Sequence, residues 1–339
     1  MKPVYLATAV AYAVLPFVGA SGLCAQSSNQ NRTTMWAPKL SGPGSGEIQV
    51  LPVQGKVWAL IGAGGNITVQ AGDDGILLVD TGTAPMSDKV LKAMATISKR
   101  TLRYIVNTSD AEDHTGGNEK IAATGEIIPF DQGDAGKVQN ALTTHKASVI
   151  SYLSVFDRMT GEDGKLPARP EGAWPDNTYS SPQKRLYFND EAVMIMHLPA
   201  STDGNSIVFF RKSDVVSTGD LFDLTEYPII DLKAGGSFQA VLDSLNKLLD
   251  VTVPSAYAQG GTLVIPGHGR IADHADVVYY RNMVAIIRDR IKDMIKRGMT
   301  LEQVKAARPT RDYDVRYGKQ TGPWTTDMFI EAAYRSLGK

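Results

Sequence analysis

The chain has 339 residues, of which 43% are apolar, with 35 basic and 36 acidic side chains. This balance argues against a nucleic-acid-binding or anionic-membrane surface, and the length suffices for one large α/β domain or two small ones. The single cysteine, Cys24, excludes an intramolecular disulfide framework and a cluster of thiolate metal ligands.

Residues 1–25 have the pattern of a secretory signal. Lys2 is followed by an uncharged apolar run over 5–18 and then by small residues. The run is too short for a comfortable membrane span. We expect cleavage after Ala20 or Ala25, and hence a periplasmic or secreted protein that is not held at the membrane. Residues 26–46, rich in Ser, Asn and Gly, predict a flexible lead-in, and residues 47–337 predict the folded domain.

The first half of the domain alternates short apolar runs with glycine- and aspartate-rich turns. Strands are predicted over 48–53, 56–61, 66–71 and 76–80. A helix over 87–97 and a buried strand over 102–107 follow. The pattern then predicts a helix over 116–123, a strand over 126–129 and a helix over 139–159.

The second half of the domain also alternates predicted strands with turns and helices. Residues 160–182 contain four prolines without periodicity and predict a long surface loop. Strands are predicted over 185–188, 192–198, 206–211, 215–218 and 262–266, with helices over 237–249 and 275–297, and Thr300 caps a last helical turn. Two strand-rich halves, each joined to helices, indicate an α/β fold of two packed sheets with helices outside.

The segment after the strand at 102–107 carries polar side chains at alternate positions. Ser109, Ala111 and Asp113 share one face, because alternate side chains of an extended segment point the same way. His114 follows as the chain turns into a helix. Alanine cannot bind a metal, and a neutral serine is a poor zinc ligand. The two acidic residues in between point away by the same alternation, and we expect them to be solvated.

This loop and three later segments resemble the metallo-β-lactamase superfamily. Its members carry His-x-His-x-Asp-His before Thr-Gly-Gly-Asn, where this chain has 109–114. The later segments are 198–206, 218–222 with Thr-Gly-Asp, and 265–269 with Pro-Gly-His-Gly, while Asp80 fits an early structural aspartate. All lie in order at predicted strand ends. The resemblance, over 48–337, implies an αββα sandwich of two packed mixed sheets with outer helices.

The resemblance also sorts the metal-binding positions into two groups. The first-site positions have lost their histidines and would instead line a polar substrate pocket: Ser109, Ala111 and Ser201. The second-site positions all keep a ligand: Asp113, His114, Asp220 and His268. Two imidazoles and two carboxylates suit zinc, iron or manganese. We therefore expect one divalent metal, with zinc first among these, at the second site.

Two functions remain open from the sequence, and an iron redox protein is a less favoured third, because the comparable mono-iron members of the superfamily keep first-site histidines. One is a secreted hydrolase that uses a single metal to activate water on an ester, amide or lactone, β-lactams included, with Asp113 as the catalytic residue that orients the water. The other is an inactive member of the fold that binds a small molecule in the former active site. Both imply a small-molecule ligand and no nucleic-acid partner.

Overall fold

The computed structural model describes residues 46–128, 146–162, 168–257 and 260–338. The predicted signal segment, 1–25, and all but the last residue of the predicted lead-in lie outside these ranges. Among the described residues, no helix combines the length and the apolar character needed to cross a membrane.

Seven strands form the first sheet in sequence order: β1 Gln49–Gln54, β2 Val57–Ala63, β3 Gly65–Gly72, β4 Gly75–Val79, β5 Leu102–Val106, β6 Ser148–Tyr152 and β7 Asn177–Tyr179. The pairs from β1 to β4 are antiparallel, and those from β4 to β7 are parallel. Val79 pairs with Val106, and Val106 pairs with Ile150. The loops that follow β4, β5 and β6 therefore begin side by side at one edge.

The second sheet has six strands: β8 Gln183–Phe188, β9 Glu191–His197, β10 Ser206–Phe210, β11 Val215–Gly219, β12 Leu263–Pro266 and β13 Ala272–Asp273. Every pairing is antiparallel except that of β11 with β12. Gly219 is in register with Pro266. The segments that carry Asp220 and His268 therefore leave this sheet together.

The helices follow in chain order: α1 Ser87–Ile97, α2 Glu112–Thr115, α3 Asn118–Ala122, α4 Leu153–Thr160, α5 Phe238–Val251, α6 His274–Lys296, α7 Leu301–Ala307, α8 Asp314–Tyr317 and α9 Thr326–Leu337. Thr300 caps α7 as predicted. Its side chain accepts from Gln303 N while the Gln303 side chain accepts from Thr300 N.

Three apolar layers hold these elements together. In β4, Leu77 and Val79 face the core between the sheets, while Ile76 and Leu78 face the core that includes α1. In β10 the same alternation sends Val208 between the sheets and Ile207 toward α5 and α6. Both faces of each sheet are therefore covered, which confirms the predicted αββα sandwich.

Some predicted elements differ from the structure. The helix predicted over 139–159 is wrong for 148–152, which form β6, and α4 begins only at Leu153; its first part, 139–145, lies outside the described residues. Residues 126–128, the described part of a predicted strand, form none. The predicted loop over 160–182 contains a 3-10 turn, Glu171–Ala173, and β7. Helix α9 has no counterpart among the predicted elements.

Asn66 on β3 joins the two sheets. Its buried amide donates to Pro266 O at 2.9 Å and to Gly269 O at 3.0 Å, and its backbone N–H donates to Gly267 O at 2.8 Å. These bonds hold the segment that carries His268 against the first sheet.

We expect Asn66→Ala to lower the free energy of unfolding by about 1–3 kcal/mol, because two carbonyl oxygens lose their buried donor. Denaturant titration measures this loss. Asn282→Ala, on the exposed side of α6, is the matched control and should stay within about 0.5 kcal/mol of wild type. Equal stability of the two variants would show that Asn66 does not join the sheets.

Candidate metal centre

Asp80 sits at the end of β4 and accepts three hydrogen bonds in the interior. The donors are Thr108 N at 2.8 Å, Thr108 Oγ1 at 2.7 Å and His114 Nδ1 at 2.7 Å. The Asp80 backbone has a φ of 64°, a left-handed conformation that aspartate and asparagine tolerate better than most residues. This turn aims the buried carboxylate at the loop that follows β5.

His114 reaches across from the first sheet to the second. It lies on α2 and is fully buried, with Nδ1 at Asp80 and Nε2 at 2.9 Å from Asp220 Oδ1. A carboxylate at Nδ1 keeps a proton on that nitrogen, so the neutral ring has its lone pair on Nε2. Nε2 is therefore the nitrogen that can bind a metal.

The remaining candidate ligands complete a cluster between the sheets. His268 Nε2 lies 3.0 Å from Asp113 Oδ2 and 3.6 Å from Asp220 Oδ1. A Cβ at Gly267 would lie 2.6 Å from Asp220 Oδ1. Glycine at this position therefore allows the two segments from β11 and β12 to approach closely enough to share the site.

The donor set fits a divalent metal. One ligand atom each from Asp113, His114 and His268 lies within 4.8 Å of the others. Among the described residues, no lysine or arginine forms an ion pair with Asp80, Asp113 or Asp220. The buried negative charge is therefore balanced either by protons on the two imidazoles or by a bound cation.

The ionisation of the cluster follows from these contacts. Burial alone would raise the pKa of Asp113, but the hydrogen bond to His268 and the charge of His114 lower it to about 2. Burial opposes a charge on His114, yet Asp220 and Asp80 raise the pKa of its imidazole well above 6.5. Burial likewise opposes a charge on His268, whose pKa is raised mainly by its hydrogen bond to Asp113. Without an ion, these contacts favour the protonated form of both imidazoles.

The side chains at the three first-site positions differ in chemical type from the ligands of this cluster. The Ser109 hydroxyl accepts from Ala111 N at 3.3 Å, and the Ser201 hydroxyl donates to Asn205 Oδ1 at 2.9 Å. Both serines are buried, whereas Ala111 is partly exposed. The two hydroxyls are thus engaged within their own loops and supply no imidazole in place of the missing histidines.

The expectation that both intervening acidic residues are solvated is wrong for Asp110. Asp110 Oδ1 accepts from Arg158 Nε at 2.8 Å, and its side chain is largely buried. Glu112 is exposed and forms an ion pair with Arg169. The sequence could not indicate the first pair, because Arg158 lies 48 residues away on a helix whose start was predicted wrongly.

The motif-based interpretation also missed Asp223. This buried carboxyl follows the Thr-Gly-Asp segment by three residues, and Oδ1 accepts from Thr225 N at 2.5 Å and from Thr225 Oγ1 at 2.7 Å. Burial raises its pKa to about 6. Its closeness in sequence to Asp220 was the available signal.

The family model of the metallo-beta-lactamase superfamily matches residues 60–268, which is more than half of the chain. The chain belongs to the metallo-beta-lactamase superfamily. Members of this superfamily typically hold divalent metals, and here Asp113, His114 and His268 form a possible metal-binding triad. No curated protein matches the sequence.

Solved structures share the fold of this superfamily member. The inverting sec-alkylsulfatase Pisa1 from Pseudomonas sp. has a TM-score of 0.61 and 16% identity over 86% of this chain and 50% of its own. A metallo-beta-lactamase from Pontibacter korlensis has a TM-score of 0.50 and 14% identity over 70% of this chain and 99% of its own. The chain thus spans about half the length of the alkylsulfatase. At these identities the similarity concerns the fold.

We expect Asp80→Asn to destabilise the metal-free protein by about 3–5 kcal/mol, because it removes one partner of a buried ion pair. The pKa of His114 is raised in the folded state. The stabilisation that the charged imidazole gives the folded protein is therefore complete below about pH 6.5, and it is lost as the pH rises through the folded-state pKa. The difference in the free energy of unfolding between Asp80→Asn and wild type should therefore be largest at acidic pH, and it should become smaller above neutral pH.

Denaturant titration between pH 5.5 and 9 in the presence of a chelator measures this difference. Asp289→Asn, on an exposed part of α6, is the control for loss of a carboxylate. A loss of stability that is independent of pH would assign the role of Asp80 to Thr108 rather than to His114.

Proposed function

We propose that this protein is a hydrolase that uses one divalent metal, bound by Asp113, His114 and His268 with Asp220 as the fourth ligand. The observation that carries the proposal is the fixed His114 imidazole. Its Nδ1 is held by Asp80, and its Nε2 points into a cluster with two carboxylates and a second imidazole. Zinc suits this donor set best, and iron or manganese also accept it.

We infer a single ion because the second-site positions carry ligand side chains and the first-site positions do not. Ser109, Ala111 and Ser201 stand where the resemblance places the first-site histidines. Alanine has no donor atom, and neutral hydroxyls compete poorly with imidazole and carboxylate for zinc. No step of the proposed reaction therefore involves a second metal.

When bound, the ion would lower the pKa of a water molecule and polarise the oxygen of the scissile group. The chain itself supplies orientation and charge. Asp80 holds the His114 ring, and the Asp113 side chain is 35% exposed against 13% for Asp220. Asp113 is therefore the carboxylate more open to a substrate. Its pKa of about 2 suits orienting a water molecule better than removing its proton.

The proposed substrates are small molecules with an ester, amide or lactone bond, β-lactams included. The shared fold with a sec-alkylsulfatase adds alkyl sulfates to the classes worth testing. The signal pattern in residues 1–25 supports export to the periplasm or beyond, where such substrates arrive from outside the cell.

The purified protein should bind about one equivalent of zinc, with an affinity that rises with pH. Bound imidazoles must be neutral, and the raised pKa values of His114 and His268 mean that the ion displaces a proton from each ring. At a pH below the pKa values of both imidazoles, the affinity for zinc should therefore increase by up to about 100-fold per pH unit.

Competition titration at pH 6, 7 and 8 measures the affinity, and calorimetry in two buffers counts the protons released. His268→Ala should lose tight binding, while His274→Ala, whose ring bonds Thr252 outside the cluster, should keep it. Less than a tenth of an equivalent after growth with added zinc, iron or manganese would contradict the proposed site.

Metal-loaded wild type should hydrolyse at least one member of a panel of β-lactams, lactones, carboxylic esters and alkyl sulfates. Asp113→Asn should lose at least about 100-fold in kcat/KM, since it disturbs both the ion and the water. Asp243→Asn, exposed on α5, should retain full activity. A metal-loaded protein without turnover on any of these compounds would favour the small-molecule-binding alternative.

A further inference from the structure

Arg158 forms a second charged centre beside the metal ligands. It lies on α4 with a side chain only 5% exposed. Its Nε donates to Asp110 Oδ1 at 2.8 Å, its Nη1 to Asp203 Oδ1 at 2.7 Å and its Nη2 to Thr202 Oγ1 at 3.3 Å. All three nitrogens of the guanidinium are thus used by two loops that are far apart in sequence.

These are the two loops that carry the first-site positions. Asp110 lies between Ser109 and Ala111, and Asp203 lies two residues after Ser201. In the superfamily pattern, a first metal would join these loops through their histidines. Here the guanidinium joins them through carboxylates instead.

We propose that Arg158 takes over the structural role of the missing first metal and, by fixing both loops, positions Asp113 to bind the single ion of the second site. Arginine suits this part, since its charge is permanent and its planar fork can serve several acceptors at once. Arg158 is a positioning residue: among the described residues, its side-chain hydrogen bonds go to Asp110, Thr202 and Asp203 and to none of the candidate ligands.

The shape of the second loop agrees with this role. A Cβ at Gly204 would lie 2.6 Å from Arg158 Nη2 and 2.9 Å from Ser154 Oγ. Gly204 does not have a positive φ, so backbone conformation does not explain the glycine. The close approach of the guanidinium does. Burial alone would lower the pKa of Arg158, but Asp110 and Asp203 raise it, and the group stays charged.

The central test is Arg158→Met, which removes the charge and keeps an unbranched side chain. We expect zinc affinity to fall by about 10- to 100-fold, as on loss of a residue that orients a ligand, and the spectrum of the cobalt-substituted protein to change. Arg158→Lys should recover part of the zinc affinity and part of the wild-type cobalt spectrum. Arg290→Met, which breaks a half-exposed ion pair with Asp312, should leave the affinity and the spectrum unchanged.

A second experiment asks whether a metal can replace the guanidinium. In Ser109→His/Ala111→His/Ser201→His protein, zinc should bind a second equivalent. When Arg158→Met is added to these substitutions, zinc should raise the Tm by several degrees and restore the affinity of the second site. If Arg158→Met alone does not fold, this background and Arg158→Lys still provide both measurements.

Two results would overturn the inference. One is unchanged zinc affinity in Arg158→Met. The other is full recovery of stability and affinity in Arg158→Met/Asp110→Asn/Asp203→Asn, which would mean that Arg158 only neutralises two carboxylates. The inference rests on the proposed single-metal site, and the outcomes are separable. Wild type that binds no metal refutes the proposed function, whereas wild-type binding that is insensitive to Arg158→Met refutes this inference alone.

Discussion

The buried carboxylate of Asp80 is the constraint on which the candidate metal centre depends. A charge in the interior is stable only when its oxygens are fully used, and here Thr108 and His114 use them. The bonds tie the end of β4 to the loop after β5 and to α2. They also settle which nitrogen of His114 faces the second sheet. The rest of the site is formed around that nitrogen, with Asp220 and His268 brought by β11 and β12.

The residues of the ligand loop have separate tasks. Asp113 and His114 meet an imidazole and a carboxylate from the opposite sheet, with no lysine or arginine partner among the described residues. Asp110 binds Arg158, which also binds Asp203. The loop is thus bound by the Arg158 guanidinium at Asp110, while Asp113 and His114 belong to the cluster proposed to hold a cation. On the proposed role of Arg158, this division would account for a ligand loop that keeps its place without histidines at 109 and 111.

The sequence predicted those parts of the fold that are governed by local pattern. Strands such as β4 and β5 are apolar runs that end at polar residues, and parallel pairing brings their carboxyl ends, with Asp80 and the ligand loop, to one edge. Residues 148–152 were misassigned because a short apolar run suits a helix or a strand equally, and only pairing with β5 decides the matter. The Arg158 contacts could not be predicted, since they join three segments whose proximity is a property of the folded chain.

The ligand atoms of the candidate centre pair with one another, His114 with Asp220 and His268 with Asp113. Contacts among these side chains thus hold the proposed ligands close together in the absence of an ion. On the proposed single-metal site, these contacts would bring the ligands together before an ion binds. An ion at the proposed site would compete with protons for His114 and His268, so acid would favour its release.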